Sequence, residues 1–212
     1  MEDLLTLDEE PDDPLRPVVC FDERPCQLIG DVLVPIPMKP GRSKRQNYEY
    51  ERHGTCCALL AFEPLRSRRF VQVRERRTAV DYALFMQELV EKYDPVIDRI
   101  RLVQDNLNTH TPGSFYSAFP PQEAFEFAQK FEIHYTPVQG SWLNMAEIEL
   151  AALSKQCLDR RIGAIETLTK EVAAWNYNRN KARKTVRWKF TKTHARRKLH
   201  NKQQFPDSDQ PQ

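Results

Sequence analysis

Hydrophobic and polar positions along the first 80 residues follow a strand-like pattern. PVVCF at 17–21 is a short apolar run after a proline, typical of a buried strand. HGTCCALLAFEP at 53–64 and RRFVQVRER at 68–76 predict a hairpin, because Pro64 and a charged turn separate two runs of β-forming residues. The segment 35–52 between the first two strands is polar and proline-rich, so we expect an exposed loop whose second half could enter a strand.

The pattern then changes to alternating helices and strands. Thr78 with Asp81 predicts a capping box, and the helix that follows has apolar residues at helical spacing: Tyr82, Phe85, Met86, Leu89, Val90 and Tyr93. RIRLVQDN at 99–106 and FEIHYTPV at 131–138 predict strands, with a helical patch at 122–130 between them. Two more helices are indicated by Ala146, Leu150, Leu153 and Cys157 and by Ile165, Leu168, Val172 and Trp175.

This order of elements predicts an α/β fold, a mixed sheet of about five strands flanked by helices. Strands joined through crossover helices should pair in parallel, and the first three, with short connections, should pair antiparallel. The 40% hydrophobic content over 212 residues is sufficient for one packed domain. We found no secretory signal or membrane-length apolar run, so we expect a cytoplasmic protein without membrane association. Its five cysteines include no C-x-x-C pair, which favours reduced thiols over a zinc site.

The net charge of +2 conceals a strong asymmetry between the ends of the chain. Residues 1–13 contain seven acids and no base, whereas 179–202 contain eleven Lys or Arg and no acid. We therefore expect an acidic, linker-like leader at 1–14, a domain at 15–178, a basic segment at 179–200 and a disordered tail at 201–212. A basic segment that includes aromatic residues suits contact with DNA phosphates, although a solvated charged helix is the plainer alternative.

Three acids stand where predicted strands or helices end or begin. Asp22 directly follows VVCF, Asp105 follows IRLVQ, and Glu147 or Glu149 begins the helix after FEIHYTPVQGSW. Each acid alone is more often a turn former or a helix-dipole partner. Together they could converge to hold two Mg²⁺ ions across a scissile phosphate, because such hard cations prefer carboxylate oxygens.

The blocks VVCFDE, LVQDNLNTH and YTPVQGSWLNMAEIEL resemble the three signature blocks of mariner-related transposases, specifically the bacterial insertion-sequence six-thirty family. The resemblance extends through WNYNRN and covers about residues 15–199. It implies a ribonuclease-H-like fold, similar to that of retroviral integrases, with Asp22, Asp105 and Glu147 as catalytic and metal-binding residues for two Mg²⁺ or Mn²⁺ ions. The chain has Met145 where many relatives have proline, and its spacing between Asp105 and Glu147 is long, so Glu149 stays an alternative.

Other residues in these blocks have more than one interpretation. His110 could contact a phosphate, orient Asp105, or be a structural histidine. Asn144 could cap the last catalytic helix, and Trp142 could pack beneath the site or stack on a base. Glu23 should point away from Asp22 if the strand continues. Candidate DNA contacts are Arg42, Lys44, Arg45, His110, Arg179, Lys181, Arg183, Lys184, Arg187 and Lys189.

The resemblance implies the catalytic domain of a DDE-type DNA transposase that cleaves element ends and joins them to target DNA. DNA is the expected partner, a homodimer in the DNA complex is expected, and no small-molecule cofactor is expected. We also expect that the helix-turn-helix region that recognises element ends in relatives is lacking. The alternatives are an inactive remnant that serves only in DNA binding or assembly, and a host ribonuclease-H-like nuclease, which the third block disfavours.

Overall fold

The computed structural model describes residues 1–93, 97–184, 186, 188 and 190–204, with residues 199–204 described by backbone alone. A five-stranded sheet forms its centre, with β1 at Val18–Asp31, β2 at Tyr50–Glu63, β3 at Arg68–Arg74, β4 at Ile100–Gln104 and β5 at Phe131–Tyr135. The strand order is β3-β2-β1-β4-β5. The three first strands pair antiparallel and β4 pairs in parallel with β1 and β5, which confirms the predicted mixed sheet.

β1 is longer than the sequence pattern predicted. Only Val18, Val19 and Cys20 pair with β4, whereas β2 pairs with β1 as far as Asp31. The prediction that Asp22 stands at the exit of its strand is therefore wrong, because the strand continues beyond it. The antiparallel partner satisfies the backbone of a polar stretch that includes Pro25, and such pairing leaves no mark on hydrophobic periodicity. Asp22 still lies just past the point where β1 leaves β4.

Helices cover both faces of the sheet. The described helices are α1 at Glu2–Glu9, α2 at Ala79–Glu91, α3 at Pro121–Gln129, α4 at Ala146–Leu153, α5 at Ile165–Lys181 and α6 at Lys192–Gln204. α2 and α3 pack on the face that carries Phe21, and α1, α4, α5 and α6 pack on the face that carries Cys20. The predicted capping box is present, since Thr78 and Asp81 bond to each other's backbone N–H. No described helix is both long and apolar enough to cross a membrane.

The prediction of a linker at 1–14 is wrong for its first part. α1 occupies 2–9, and Leu4, Leu5 and Leu7 are 2%, 0% and 5% exposed in the core. Three of its acids, Glu2, Asp3 and Glu9, face basic side chains, for example Glu2 against Arg196 at 2.7 Å. The acidic composition of residues 1–14 indicated a solvated segment. The three leucines lie on about one helical turn, however, and their burial packs α1 against the core.

The predicted boundaries at the C-terminus also shift. α5 continues to Lys181, so residues 178 and 179 lie within one helix. α6 extends to Gln204, so the disorder predicted for 201–212 is wrong for 201–204, and 205–212 lie outside the described residues. Residues 201–204 continue the basic helix that begins at Lys192, and lysine and glutamine have good helical propensity.

Candidate active site

Asp22 projects from β1 toward the face covered by α4. Alternation along the strand puts it with Cys20, while Phe21 and Glu23 project to the opposite face, as the sequence predicted for Glu23. Burial raises the pKa of Asp22 to about 7, and the nearby carboxylates of Glu147 and Asp105 contribute in the same direction. A hydrogen bond from the Glu23 backbone N–H at 2.7 Å opposes this rise. Asp22 therefore lies close enough to Asp105 and Glu147 for their charges to disfavour its ionisation.

Asp105 directly follows β4 and is held by His110. Oδ1 of Asp105 hydrogen bonds to Nδ1 of the imidazole, and Nε2 lies 3.5 Å from Oε2 of Glu23, an ion-pair distance without hydrogen-bond geometry. Burial lowers the pKa of His110, but the hydrogen bond to Asp105 and the nearby carboxylate of Glu23 outweigh it and raise the pKa to about 9. The ring is also stacked on Tyr82, with centroids 5.1 Å apart. His110 is therefore placed to orient Asp105.

Asn144 fixes the start of α4 against β1. Its side-chain Nδ2 donates to the carbonyl of Phe21 at 2.7 Å, and its Oδ1 accepts from the backbone N–H of Ala146 at 3.1 Å. The N-cap position of α4 is Met145 rather than Asn144, but the second bond still ties the Asn144 side chain to the first residue of the helix. Because Phe21 immediately precedes Asp22, this one amide sets the position of Glu147, in the exposed first turn of α4, relative to Asp22.

Glu149, two residues further on, faces the interior. Its side chain is 0% exposed, and both oxygens accept hydrogen bonds from two guanidinium groups, those of Arg69 at 2.6 and 2.9 Å and of Arg179 at 2.5 and 3.0 Å. Burial raises the pKa of Glu149, but these bonds outweigh it, so the pKa lies below its usual value. Glu149 is thus saturated by its own chain, whereas Glu147 is exposed.

The donor set suits a hard divalent cation, since all three candidate ligands are carboxylates. In the described part of the chain, no Lys or Arg forms an ion pair with Asp22 or Glu147. Among the same residues, no three His, Cys, Asp or Glu side chains are grouped closely enough to hold an ion as they stand. The three acids are therefore the ligand type that a divalent metal ion prefers. Their side chains would have to move closer together to bind such an ion.

The predicted DNA contacts fall into separate places. Lys181, Arg183 and Lys184 are exposed at the end of α5, beside the Glu149 cluster. Arg42, Lys44 and Arg45 are exposed in the loop between β1 and β2, and β1 carries that loop about 30 Å from Asp22 at 3.3 Å per residue. Arg187 and Lys189 lie outside the described residues.

Two of those predictions are corrected by the structure. Arg179 is engaged with Glu149, since a buried carboxylate requires partners and the last turn of α5 supplies one. His110 is 1% exposed, so it cannot reach a phosphate. Trp142, 47% exposed, packs on the basic segment, edge-on to Phe190 at 5.0 Å and stacked on Trp188 at 6.5 Å.

Sequence reasoning missed Arg69 and Arg77. Arg69 is 4% exposed on β3, and Arg77 forms an ion pair with Glu23 at 3.0 Å just before α2. Both residues belong to arginine-rich stretches of the sequence. Within such a stretch, the sequence does not distinguish an arginine that has a buried partner from one that is exposed to solvent. For Arg69, the single available signal was its place in an alternating strand, which put it on the same face as Val71 and Val73.

The strand order, the mixed sheet and the helices on both faces define a ribonuclease-H-like fold. The chain belongs to the DDE superfamily endonucleases, whose family model matches residues 17–169. A comparison with curated proteins finds no match.

Solved structures of the Mos1 mariner transposase share the fold. The Mos1 paired-end complex with Mn superposes with a TM-score of 0.55 at 17% identity, over 84% of this chain and 52% of that one. The paired-end complex with the left transposon end gives 0.53 at 16%, over 96% and 57%. A pre-cleavage Mos1 transpososome gives 0.55 at 17%, over 83% and 52%. The chain thus spans about half the length of these relatives.

Proposed function

We propose that this chain is the catalytic domain of a DNA transposase of the insertion-sequence six-thirty type, which cleaves DNA with divalent metal ions and transfers the freed end. One observation carries the proposal. Asp22, Asp105 and Glu147 come from β1, the end of β4 and the start of α4. β1 and β4 are neighbours in the sheet, and Asn144, just before α4, donates a hydrogen bond to the carbonyl of Phe21 beside Asp22 at 2.7 Å. Three carboxylates brought to one end of the sheet in this way are a ligand set suited to a hard divalent cation.

The chain's own residues prepare that ligand set. His110 holds one oxygen of Asp105, and Asn144 links the helix of Glu147 to the strand of Asp22. Mg²⁺ or Mn²⁺, when bound by Asp22, Asp105 and Glu147, would supply activation of the attacking oxygen and neutralisation of charge on phosphorus. The Mos1 paired-end complex has been solved with Mn and with Mg, which supports this choice of ion. Two ions, one for the attacking oxygen and one for the leaving oxygen, belong to the same proposal.

DNA is the proposed substrate, and its path follows the basic side of the site. Lys181, Arg183 and Lys184 are exposed where α5 ends. They lie about one turn beyond Arg179, which forms an ion pair with Glu149 in the first turn of α4. Trp142, before α4, and Phe190, before α6, add two aromatic rings in contact with each other. Exposed cations and aromatic rings both suit a phosphate backbone with unstacked bases. Pairing of two copies across the element ends, and a bacterial source, belong to the same proposal.

The test is cleavage of a labelled, pre-nicked DNA duplex in Mn²⁺. Asp105→Asn keeps the shape of the side chain and removes its charge, so we expect loss of cleavage with DNA binding retained. Glu166→Gln, an exposed acid at the start of α5, is the matched control and should cleave like the wild type. Cleavage that survives in Asp105→Asn would overturn the assignment. Binding without any cleavage by the wild type would favour an inactive DNA-binding or assembly module.

A further inference from the structure

A chain of polar side chains in contact leads from the candidate site to a neighbouring surface cleft. Asp105 is bonded to His110, His110 lies 3.5 Å from Glu23, and Glu23 accepts a hydrogen bond from Nη1 of Arg77 at 3.0 Å. His110 and Glu23 are buried, with side chains 1% and 6% exposed, whereas the side chain of Arg77 is 58% exposed. Arg77 is therefore the solvent-facing end of a network whose other end is a candidate metal ligand.

The cleft at this end has a volume of about 330 Å³ and is lined by Glu23, Arg77, Asn106, Leu107, Asn108 and Thr109. Its one carboxylate, that of Glu23, is buried and accepts a hydrogen bond from Arg77, so its negative charge is balanced. What the cleft offers to solvent is a guanidinium, two side-chain amides and a hydroxyl. A guanidinium has five N–H donors, so Arg77 can serve Glu23 and still bind a second anion.

We propose that this cleft binds one phosphate of the DNA strand adjacent to the phosphate at the carboxylates. Arg77 makes the contact, and Glu23 is the positioning residue that holds both Arg77 and His110. The position suits this role because Asn106, in the cleft wall, directly follows Asp105 in the chain. The inference rests on the proposed function for the identity of the ligand, but its first test needs no cleavage.

The first test measures DNA affinity without divalent metal over a series of KCl concentrations. Loss of one phosphate contact lowers the slope of log Kd against log[KCl] by about 0.9. We expect this decrease for Arg77→Ala, and the wild-type slope for Arg77→Lys and for Arg76→Ala, a matched control in the exposed neighbour. An unchanged slope in Arg77→Ala, or an equal decrease in Arg76→Ala, would overturn the cleft as a phosphate site.

The second test examines the positioning role of Glu23. Glu23→Gln should leave the KCl slope unchanged but raise the Mn²⁺ concentration that half-saturates thermal stabilisation by about tenfold or more, as changes to the partners of metal ligands do. Glu75→Gln, an exposed acid nearby, should not. Equal half-saturation in Glu23→Gln and the wild type would remove Glu23 from the network. A further outcome is that neither the wild type nor any variant cleaves DNA while Arg77→Ala still lowers the slope of log Kd against log[KCl]. That result would support the phosphate site and contradict the proposed transposase chemistry.

Discussion

Glu147 and Glu149 differ by two positions in one helix, and their exchange for glutamine should have opposite consequences. Glu149→Gln leaves two guanidinium groups around a neutral amide. The side chains of Arg69 and Glu149 are 0% exposed, so water cannot replace the lost charge. Breaking a buried ion pair from one side costs about 3–5 kcal/mol. That is a large share of the roughly 5–15 kcal/mol that stabilises a typical domain.

Glu147→Gln is the matched control, because Glu147 is exposed on the same helical turn. Substitution there should change the free energy of unfolding by less than about 0.5 kcal/mol. Urea unfolding of both variants and the wild type, followed by circular dichroism, measures the difference. Cleavage should show the reverse order: Glu147→Gln folded and inactive, Glu149→Gln active in the temperature range where it is folded.

The pH dependence gives a second readout. The pKa of Glu149 is depressed in the folded protein, so its contribution to stability is complete above the pKa of the unfolded chain and is lost as pH falls through the lower, folded value. Glu149→Gln should therefore lose less stability in acid than the wild type. A cost below about 1 kcal/mol for Glu149→Gln, or an equal cost for Glu147→Gln, would refute the reasoning about burial.

The remaining predictions concern the other parts of the site and the leader. Asp22→Asn should stabilise the metal-free protein near neutral pH by at most about 4 kcal/mol. Burial and two neighbouring acids raise the pKa of Asp22 to about 7, so ionisation of this side chain destabilises the folded protein. A melting temperature below that of the wild type at pH 8 would contradict this. The pKa of His110 is raised to about 9, so its contribution to stability is complete below the unfolded pKa near 6.5 and is lost as pH rises through 9. In denaturant titrations without divalent metal, His110→Gln should therefore show a smaller loss of stability over this pH range than the wild type. An unaltered pH profile would assign the loss to other groups. Leu5→Ala should cost about 2–5 kcal/mol, because Leu5 is 0% exposed, whereas an undocked leader would show no change in urea unfolding.

Most of the fold followed from the sequence, because strands and helices with one buried face record that burial in their periodicity. β2 to β5 and α2 to α5 begin and end close to the predicted positions. The second half of β1 and the helix α1 did not follow. Residues 22–27 of β1 are polar and include Pro25, and α1 is too acidic to suggest a packed helix. Both are stabilised by partners far away in the chain, which no local pattern reports.

The candidate site could be predicted to the level of its carboxylates and no further. The position of an acid after an apolar run is a local signal, and it is enough to mark Asp22 and Asp105. Which of Glu147 and Glu149 is exposed depends on Arg69 and Arg179, 80 and 30 residues away. The role of His110 likewise depended on Glu23, on another strand. Metal coordination by Asp22, Asp105 and Glu147 stays a prediction.

The length of the segment between Asn144 and Glu149 cannot change without a double loss. Asn144 is anchored to β1 and Glu149 to β3 and α5, so the residues between them are clamped at both ends. Insertion or deletion of one residue would rotate the helix by about 100°, withdrawing Glu147 from Asp22 and removing Glu149 from Arg69 and Arg179. A change of length here would therefore cost the fold its buried ion pair as well as displacing a candidate metal ligand.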